Sequence, residues 1–428
     1  METIQNLAVP NASAEHATTA RWQGLGLVFM LSLIAYIDRS NIAVSTSSIL
    51  ETMKLTPVQM GLITSAFSAA YAALQIPGAL LIRRIGTRLG VTLVVLAWSI
   101  FTILTGYAGG FLSLLVIRAG FGFSEAPLFP ALNQYNLHWF PVRERGIANG
   151  VKTAGTYGAS IVTPPVAVWI LQSFGLKWIF IVSGLLGIVA AVLWYRSTRN
   201  HPAEHKGVNR AELDYILAGV DGQVKRDAVP WRALFRSRSF WGVGLTFFFA
   251  LYVIQFYLYW MPFFLEKHLH MSLHAMGYAA SIPWVFIFVS ALSVGRFSDA
   301  LFRKGGSLYL ARNVVIMAGF LLAAIFLYIG TLLDNPWAVV LMTSFGLGFA
   351  GFAGVLPWAL STDIGGAYTG IVSAWMNMWG FAAATIMPTV SALIGTRIGW
   401  GYTIYTLIAA AVLGILATLL IRPSQKIS

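Results

Sequence analysis

Long apolar segments separated by short polar ones follow one another along the whole chain. A helix of about twenty apolar residues crosses the roughly 30 Å hydrocarbon core of a bilayer, and twelve segments reach that length. The predicted spans are 22–48, 58–82, 89–109, 111–137, 147–172, 177–196, 239–265, 275–300, 311–332, 336–360, 366–394 and 400–422. The pattern therefore predicts an all-α integral membrane protein.

The basic residues fix the predicted orientation. Most of the 28 Lys and Arg fall in or beside alternate loops, and Lys and Arg accumulate on the cytoplasmic side of membrane proteins. Both termini are therefore predicted to be cytoplasmic. This distribution also explains the net charge of +13 without a nucleic-acid partner.

A polar, charge-rich segment interrupts the series after the sixth span. It divides the chain into a tail 1–21, a six-helix half 22–196, a cytoplasmic linker 197–238, a second half 239–422 and a tail 423–428. Within the linker, Asn209 stands three residues before Glu212 and predicts a short helix capped at its N-terminus.

The two halves also resemble each other in sequence. "RGIANGVKTAGTYGASIVTP" (145–164) aligns with "TGIVSAWMNMWGFAAATIMP" (369–388), which places Gly146 over Gly370 and Pro164 over Pro388. Chance similarity between two helices rich in small residues is the alternative. Pseudo-symmetric halves of this kind are typical of secondary transporters, whose substrate site lies between them near the bilayer midplane.

Composition narrows the functional classes further. The chain is 57% hydrophobic and 10% charged, with a mean hydropathy of +0.73, values typical of membrane proteins. It has no Cys and seven His, which argues against a thiolate or zinc site. We expect no cofactor apart from a coupling ion. No nucleophile paired with a base stands out, so we predict that the protein is not an enzyme.

Four charged residues lie deep within predicted spans: Asp38, Arg39, Arg118 and Glu125. Each opposes insertion by roughly 2.5 to 3.5 kcal/mol at the centre of a span, so each needs a partner or water. Neighbours on a helix point about 100° apart, and Asp38 therefore cannot pair with Arg39. Arg118 and Glu125 share a face but are about 10 Å apart along the axis.

The spacing of polar residues predicts where these charges point. Asp38, Asn41 and Ser45 form one polar stripe, which we expect to face a cavity. Further polar or aromatic residues in other spans are expected to converge on it: Tyr71, Gln75, Gln134, Thr156, Tyr157, Gln255 and Asn377. The alternative is an ion pair between Asp38 and Arg118 that only joins two helices, with the other polar residues holding helices together.

The chemistry of these residues suits a coupled carrier. A guanidinium in a wet pocket holds a carboxylate through two parallel hydrogen bonds. A desolvated carboxyl group favours its neutral form and can carry a proton, which a nearby cation then displaces. Anion and proton binding would then depend on each other.

Five segments resemble the major facilitator superfamily, and specifically its anion:cation symporter family. They are "YIDRSNIA", "GFGFSEAPLFP", "HWFPVRERG", "AELDYI" and "STDIGGAYTGIVSAWMNMWG". The resemblance implies twelve helices in two pseudo-symmetric halves, with Asp38 and Glu125 carrying the coupling protons. It also implies that Arg39 and Arg118 serve substrate and coupling, and that Tyr71 and Asn377 contact the anion. Similar family members are bacterial carriers of sugar acids and of aromatic acids.

The chain departs from the superfamily pattern in the loop after the second span. Ala79 and Arg83 replace the usual Gly and Asp, whereas the second half keeps Gly295 and Asp299. We expect Arg83 to pair with Asp363 when the cytoplasmic side closes, and assign Arg83, Arg84, Asp299 and Asp363 to gating. Some sugar-acid members carry Gln where this chain has Gly155, which counts against a polyhydroxylated substrate.

The sequence thus predicts a proton symporter that imports a small organic carboxylate by alternating access. A sugar acid such as a hexonate, hexuronate or aldarate is favoured over an aromatic acid. We expect a monomer in the cell membrane, the inner membrane in a bacterium. A uniporter or exchanger, and a membrane sensor built like a transporter, are the alternatives.

Overall fold

The computed structural model describes residues 17–141, 143–217 and 231–425. Within them, twelve helices are long and apolar enough to cross a membrane, which confirms the predicted all-α architecture. Numbered one to twelve along the chain, the spans are Ala20–Val44, Pro57–Ile85, Thr87–Thr105, Phe111–Trp139, Arg145–Phe174, Leu176–Ser197, Arg238–Tyr259, Leu273–Gly305, Tyr309–Thr331, Pro336–Gly365, Thr369–Arg397 and Gly401–Leu419. Shorter helices are Thr46–Met53, Pro202–Glu204, Arg210–Leu217, Trp231–Arg236, Met261–Lys267 and Gly366–Tyr368.

Three of the spans are broken or irregular. Span four consists of Phe111–Glu125 and Leu128–Trp139, and span eight of Leu273–Ala279 and Ile282–Gly305. Pro127 lies at the first break and donates no amide hydrogen bond, so the chain can bend just after Glu125. Span nine opens with one π-helical turn.

Helix packing follows the two halves that the sequence indicates. Spans one to six pack mainly on one another, as do spans seven to twelve, while pairs two and eleven, and five and eight, join the halves. Pro164 in span five and Pro388 in span eleven lie equally far from the starts of their helices. A Cβ added at either Gly146 or Gly370 would meet no atom within 4 Å, so both helices begin beside open space.

The halves touch at the end of the bundle opposite the linker, which we call the far end; the other is the linker end. Among the described residues, four hydrogen bonds join the halves. They link Ser65 to Thr389 (2.9 Å), Ser68 to Tyr259 (3.4 Å), Glu51 to Lys267 (2.9 Å) and Ser281 to the Ile161 carbonyl (2.6 Å). Gly61 allows a close approach here, because a Cβ would lie 2.9 Å from the Pro388 carbonyl oxygen. The bundle is therefore closed at the far end.

The short helix Arg210–Leu217, which we call the linker helix, is bound to the first half. Asn209 Oδ1 accepts a hydrogen bond from the Glu212 amide at 3.0 Å, which confirms the predicted cap. The fully buried Glu212 carboxylate accepts from the Thr18 hydroxyl and from Arg21 Nη1, at 2.6 and 2.8 Å. Arg21 Nε also donates to Glu144 at 2.9 Å. One arginine thus ties the start of span one to the linker helix and to the loop before span five.

Candidate functional site

A cavity of about 590 Å³ lies between the two halves. It reaches from the middle of the bundle toward the linker end, and the stacked rings of Tyr71 and Phe381, 4.4 Å apart, lie in its wall between spans two and eleven. The charged and amide side chains that line it are Arg39, Gln75, Asn133, Asn149, Lys152, Gln255 and Asn377. The aromatic ones are Tyr36, Tyr71, Phe129, Tyr157, Phe247, Trp284, Trp358 and Phe381.

Arg39 connects this cavity with a carboxylate behind its wall. Its Nε lies 3.0 Å from one carboxylate oxygen of Glu125 and 3.1 Å from the other. Glu125 is fully buried and does not line the cavity, whereas Arg39 does. The guanidinium carbon also lies 4.9 Å from the ring centre of Tyr36 and 4.8 Å from that of Tyr71. Aromatic faces and a carboxylate both stabilise a cation in a dry site.

Asp38 and Arg118 form the other half of the buried charge cluster. The Asp38 carboxylate lies beside Thr102 and Trp98, and Arg118 lies close enough to act on it electrostatically. The Arg118 guanidinium packs on the rings of Phe67 and Phe121, with centres 5.0 and 4.4 Å away. The described residues contain no salt bridge between Asp38 and Arg118, so the simple interhelical ion pair is not present in this conformation.

The polar stripe on span one does not face the cavity, and that expectation was wrong. Asn41 Nδ2 donates to the Ser183 hydroxyl of span six at 2.6 Å. Asp38 and Ser45 are equally buried, with 1% and 0% of their surfaces exposed. Periodicity identified a shared face correctly, but that face packs against other helices of the first half.

The cavity brings together six of the ten residues predicted for coupling and substrate. These are Arg39, Tyr71, Thr156, Tyr157, Gln255 and Asn377. The other four, Asp38, Arg118, Glu125 and Gln134, do not line it. Arg39 is therefore the arginine that a ligand in the cavity can reach, and Arg118 is not.

Sequence reasoning missed Lys152 and Asn133, which line the cavity together. Lys152 Nζ donates a hydrogen bond to Asn133 Oδ1. Lys152 stands only seven residues after Arg145, where span five begins, so it resembled one more basic residue at a cytoplasmic helix end. Its spacing of four residues from Thr156, which puts both on one helical face, was the signal that could have identified it.

Gly155 points away from the cavity, contrary to the expectation drawn from it. A Cβ at Gly155 would lie 2.7 Å from the Phe29 carbonyl oxygen and 3.1 Å from the Ser32 Cβ. The position is a close contact between spans one and five, where a Gln side chain would not fit. Its lack of a side chain therefore says nothing about the polarity of the substrate.

Comparison with known proteins agrees with this architecture. A family model described as Major Facilitator Superfamily matches residues 28–386. The chain belongs to the major facilitator superfamily.

Similar proteins within this superfamily include carriers of sugar acids. The D-galactonate transporter of Escherichia coli O6:H1 is 31% identical over 420 residues, which cover 95% of this chain and 96% of that protein. The probable galactarate/D-glucarate transporter of Bacillus subtilis 168 is 33% identical over 402 residues, which cover 89% of this chain and 87% of that protein. The crystal structure of a D-xylose–proton symporter has the same fold, with a TM-score of 0.74 at 15% identity over 96% of this chain and 99% of that one.

These findings establish the class of protein. The chain is a multi-pass membrane protein and a secondary transporter of this superfamily, not an enzyme. The predicted family and function class are confirmed. An inner-membrane location, as for bacterial carriers, is consistent with the twelve spans.

The predicted gating residues lie at the linker end of this superfamily fold. Arg83 and Arg84 occupy the last turn of span two. Asp363 accepts from Arg312 Nε at 3.1 Å, and Asp299 accepts from Arg312 Nη1 at 2.8 Å. In this conformation Asp363 is therefore bound within its own half. Its pairing with Arg83 stays a prediction for a conformation in which the linker end is closed.

Proposed function

We propose that the protein imports a small organic carboxylate together with protons, by alternating access of the cavity to the two sides of the membrane. The observation that carries the proposal is the position of Arg39, which faces the cavity while its Nε is bound to the buried Glu125. A change in the charge of Glu125 acts directly on the cation that a substrate anion would meet.

The proposed coupling follows from competition for one guanidinium. While Glu125 is ionised, it holds Arg39 and neutralises its charge. Protonation of Glu125 would remove that negative charge, so that Arg39 would bind a substrate carboxylate more strongly. Asp38 is the second proposed proton carrier, because it lies within the electrostatic reach of both Glu125 and Arg118.

The state of the bundle fits one step of such a cycle. The halves meet at the far end, and the cavity extends to the linker end. With the linker cytoplasmic, as the basic residues predict, this is the conformation that releases substrate and protons into the cell. We propose that the protein works as a monomer, because the cavity is complete within one chain.

A sugar acid is the proposed substrate class. The relatives named above carry galactonate and galactarate or glucarate, and amide and hydroxyl side chains line this cavity beside Arg39. An aromatic carboxylate is the second candidate. It is favoured by the second half's wall, where Phe247, Trp284, Trp358 and Phe381 offer apolar faces.

The deciding experiment is uptake by proteoliposomes that contain the purified full chain. Sugar acids and aromatic acids are offered with and without an inward proton gradient. We expect one class to accumulate, and only with the gradient. Uptake that ignores the gradient would show a uniporter or exchanger, and binding without any flux would support a sensor.

A substitution at Glu125 tests the coupling step. Glu125→Gln mimics the protonated state, so we expect gradient-driven accumulation to be lost while exchange of internal for external anion continues. Glu204→Gln, an exposed position in the linker, is the matched control and should behave as wild type. A Glu125→Gln variant that still accumulates substrate against its gradient would refute the assigned role.

A further inference from the structure

The cavity contains a second cation, Lys152, in addition to Arg39. Lys152 donates to the side-chain oxygen of Asn133, which leaves two of its three ammonium protons for other acceptors. Among the described residues, no carboxylate forms a salt bridge with Lys152. A lysine in a membrane-embedded cavity is costly without a counter-charge, so an anionic ligand would stabilise it.

The charges around the cavity give Lys152 a separate role from Arg39. Arg39 is balanced by Glu125, and Arg118 has Asp38 close to it. On the proposed function, protonation of Glu125 leaves Arg39 to balance one substrate carboxylate. The positive charge of Lys152 then remains, and it matches a second negative charge on the same ligand.

The positions of the two cations place them at different depths. Gly155 packs against span one at Phe29 and Ser32, so Lys152, one turn nearer the linker end, lies level with the residues just before Phe29. Arg39 lies about eleven residues further along span one, or about 16 Å at 1.5 Å per residue. Both helices begin at the linker end, so their Cα–Cβ bonds lean the same way, and the long Arg39 and Lys152 side chains can close part of this offset. The two cations are therefore placed to meet opposite ends of one elongated ligand.

The lining between the two cations suits a chain that carries hydroxyl groups. Thr156 and Tyr157 lie on span five between the depth of Lys152 and that of Arg39. The Thr156 hydroxyl donates to the Thr153 carbonyl at 2.7 Å, which leaves its oxygen free to accept a hydrogen bond. A ligand with an acidic group at each end and hydroxyls between them could bind both cations and form hydrogen bonds with the hydroxyl side chains between them.

We propose that Lys152 and Asn133 form a second anion subsite, and that the preferred substrate is an elongated dianion. The inference rests on the proposed function and makes it more specific: Arg39 would bind one terminal carboxylate, and Lys152 the acidic group at the other end.

Pairs of acids that differ only in the second acidic group test the subsite. Binding of glucarate and gluconate, galactarate and galactonate, and terephthalate and benzoate is measured by thermal stabilisation of the purified full chain, which reports affinity. In the wild type we expect the dianion of at least one pair to bind about tenfold to a hundredfold more tightly, the effect of one charge-assisted hydrogen-bonded contact.

Variants at Lys152 assign that preference to the subsite. Lys152→Gln should bring the ratio of the two affinities to within about threefold of one, and Lys152→Arg should keep most of the preference, because it keeps the charge. Lys177→Gln is the matched control, since Lys177 lies outside the cavity, over the Tyr107 ring.

The outcomes separate this inference from the proposed function. Tighter or equal binding of the mono-acids in the wild type would overturn the second subsite and leave carboxylate transport standing. An unchanged ratio in Lys152→Gln would do the same. If no acid of any pair is bound or transported, the proposed function itself fails.

Discussion

Arg39 uses its Nε to bind both carboxylate oxygens of Glu125, at 3.0 and 3.1 Å, while its Nη2 has no hydrogen-bond partner among the described residues. Nη2 is itself buried, so a ligand would meet the part of the guanidinium of Arg39 that lines the cavity. The planar guanidinium of arginine has donors in several fixed directions, so it can bind a protein carboxylate and a ligand carboxylate at the same time. The ammonium group of lysine does not have this fixed arrangement of donors.

Arg39→Lys is predicted to separate charge from geometry. The variant keeps the positive charge but loses the fork, so we expect affinity for the transported acid to fall at least about tenfold. Equilibrium binding to the purified protein measures this. Arg88→Lys is the matched control, because Arg88 packs on Tyr195, 4.2 Å from its ring centre, outside the cavity. Wild-type affinity in Arg39→Lys would show that the substrate does not use the fork.

The buried carboxylate of Glu212 is predicted to support the stability of the whole first half. Glu212 accepts hydrogen bonds from Thr18, Ala20 and Arg21 and is 0% exposed. Glu212→Gln would leave Arg21 with Glu144 as its remaining counter-charge, so the loss is at most about 3 to 5 kcal/mol, the cost of a fully broken buried pair. We expect the apparent melting temperature in detergent to fall by at least about 5 °C.

Two further glutamates give the comparison for Glu212. Glu144, the second partner of Arg21, has a side chain that is 15% exposed, so Glu144→Gln should lower the melting temperature by less. Glu204→Gln alters an exposed residue of the linker and should leave it unchanged. Equal effects at all three positions would mean that the buried ion pair does not determine stability.

The sequence predicted the number of spans because hydropathy over about twenty residues is a strong signal of its own. The same signal placed Arg39 and Asn377 inside the membrane, and both do line the cavity. It could not tell which neighbour a polar face meets. The stripe that begins at Asp38 therefore appeared to line a cavity, although Asn41 is bound to Ser183.

Lys152 lines the cavity although the sequence analysis did not predict it. A basic residue near the cytoplasmic end of a predicted span is expected from topology alone, so position along the chain gave no reason to single it out. Only the packing of span five against span one turns that helix face toward the cavity. Tertiary packing also explains Gly155: it allows spans one and five to pack closely and does not enlarge the cavity.

Ser65 and Thr389 are predicted to separate during transport. Their side-chain oxygens lie 2.9 Å apart across the two halves at the far end, and alternating access requires that end to open. The natural chain contains no Cys, so Ser65→Cys and Thr389→Cys introduce the only thiols. We expect the double variant to form a disulfide under mild oxidation and then to lose uptake, with recovery after reduction.

The single variants and a second pair complete the test. Each single variant should transport with or without oxidant, since it has no partner thiol. Gly146→Cys with Gly370→Cys places thiols at the linker end, where each faces open space, and should not cross-link in this conformation. If the Ser65–Thr389 pair is shown to be cross-linked and uptake continues, the halves do not part at the far end and the rocking mechanism is wrong. If uptake stops only while the disulfide is intact, opening of the far end is an obligatory step, and the contacts at Gly61 and Lys267 must break in the same step.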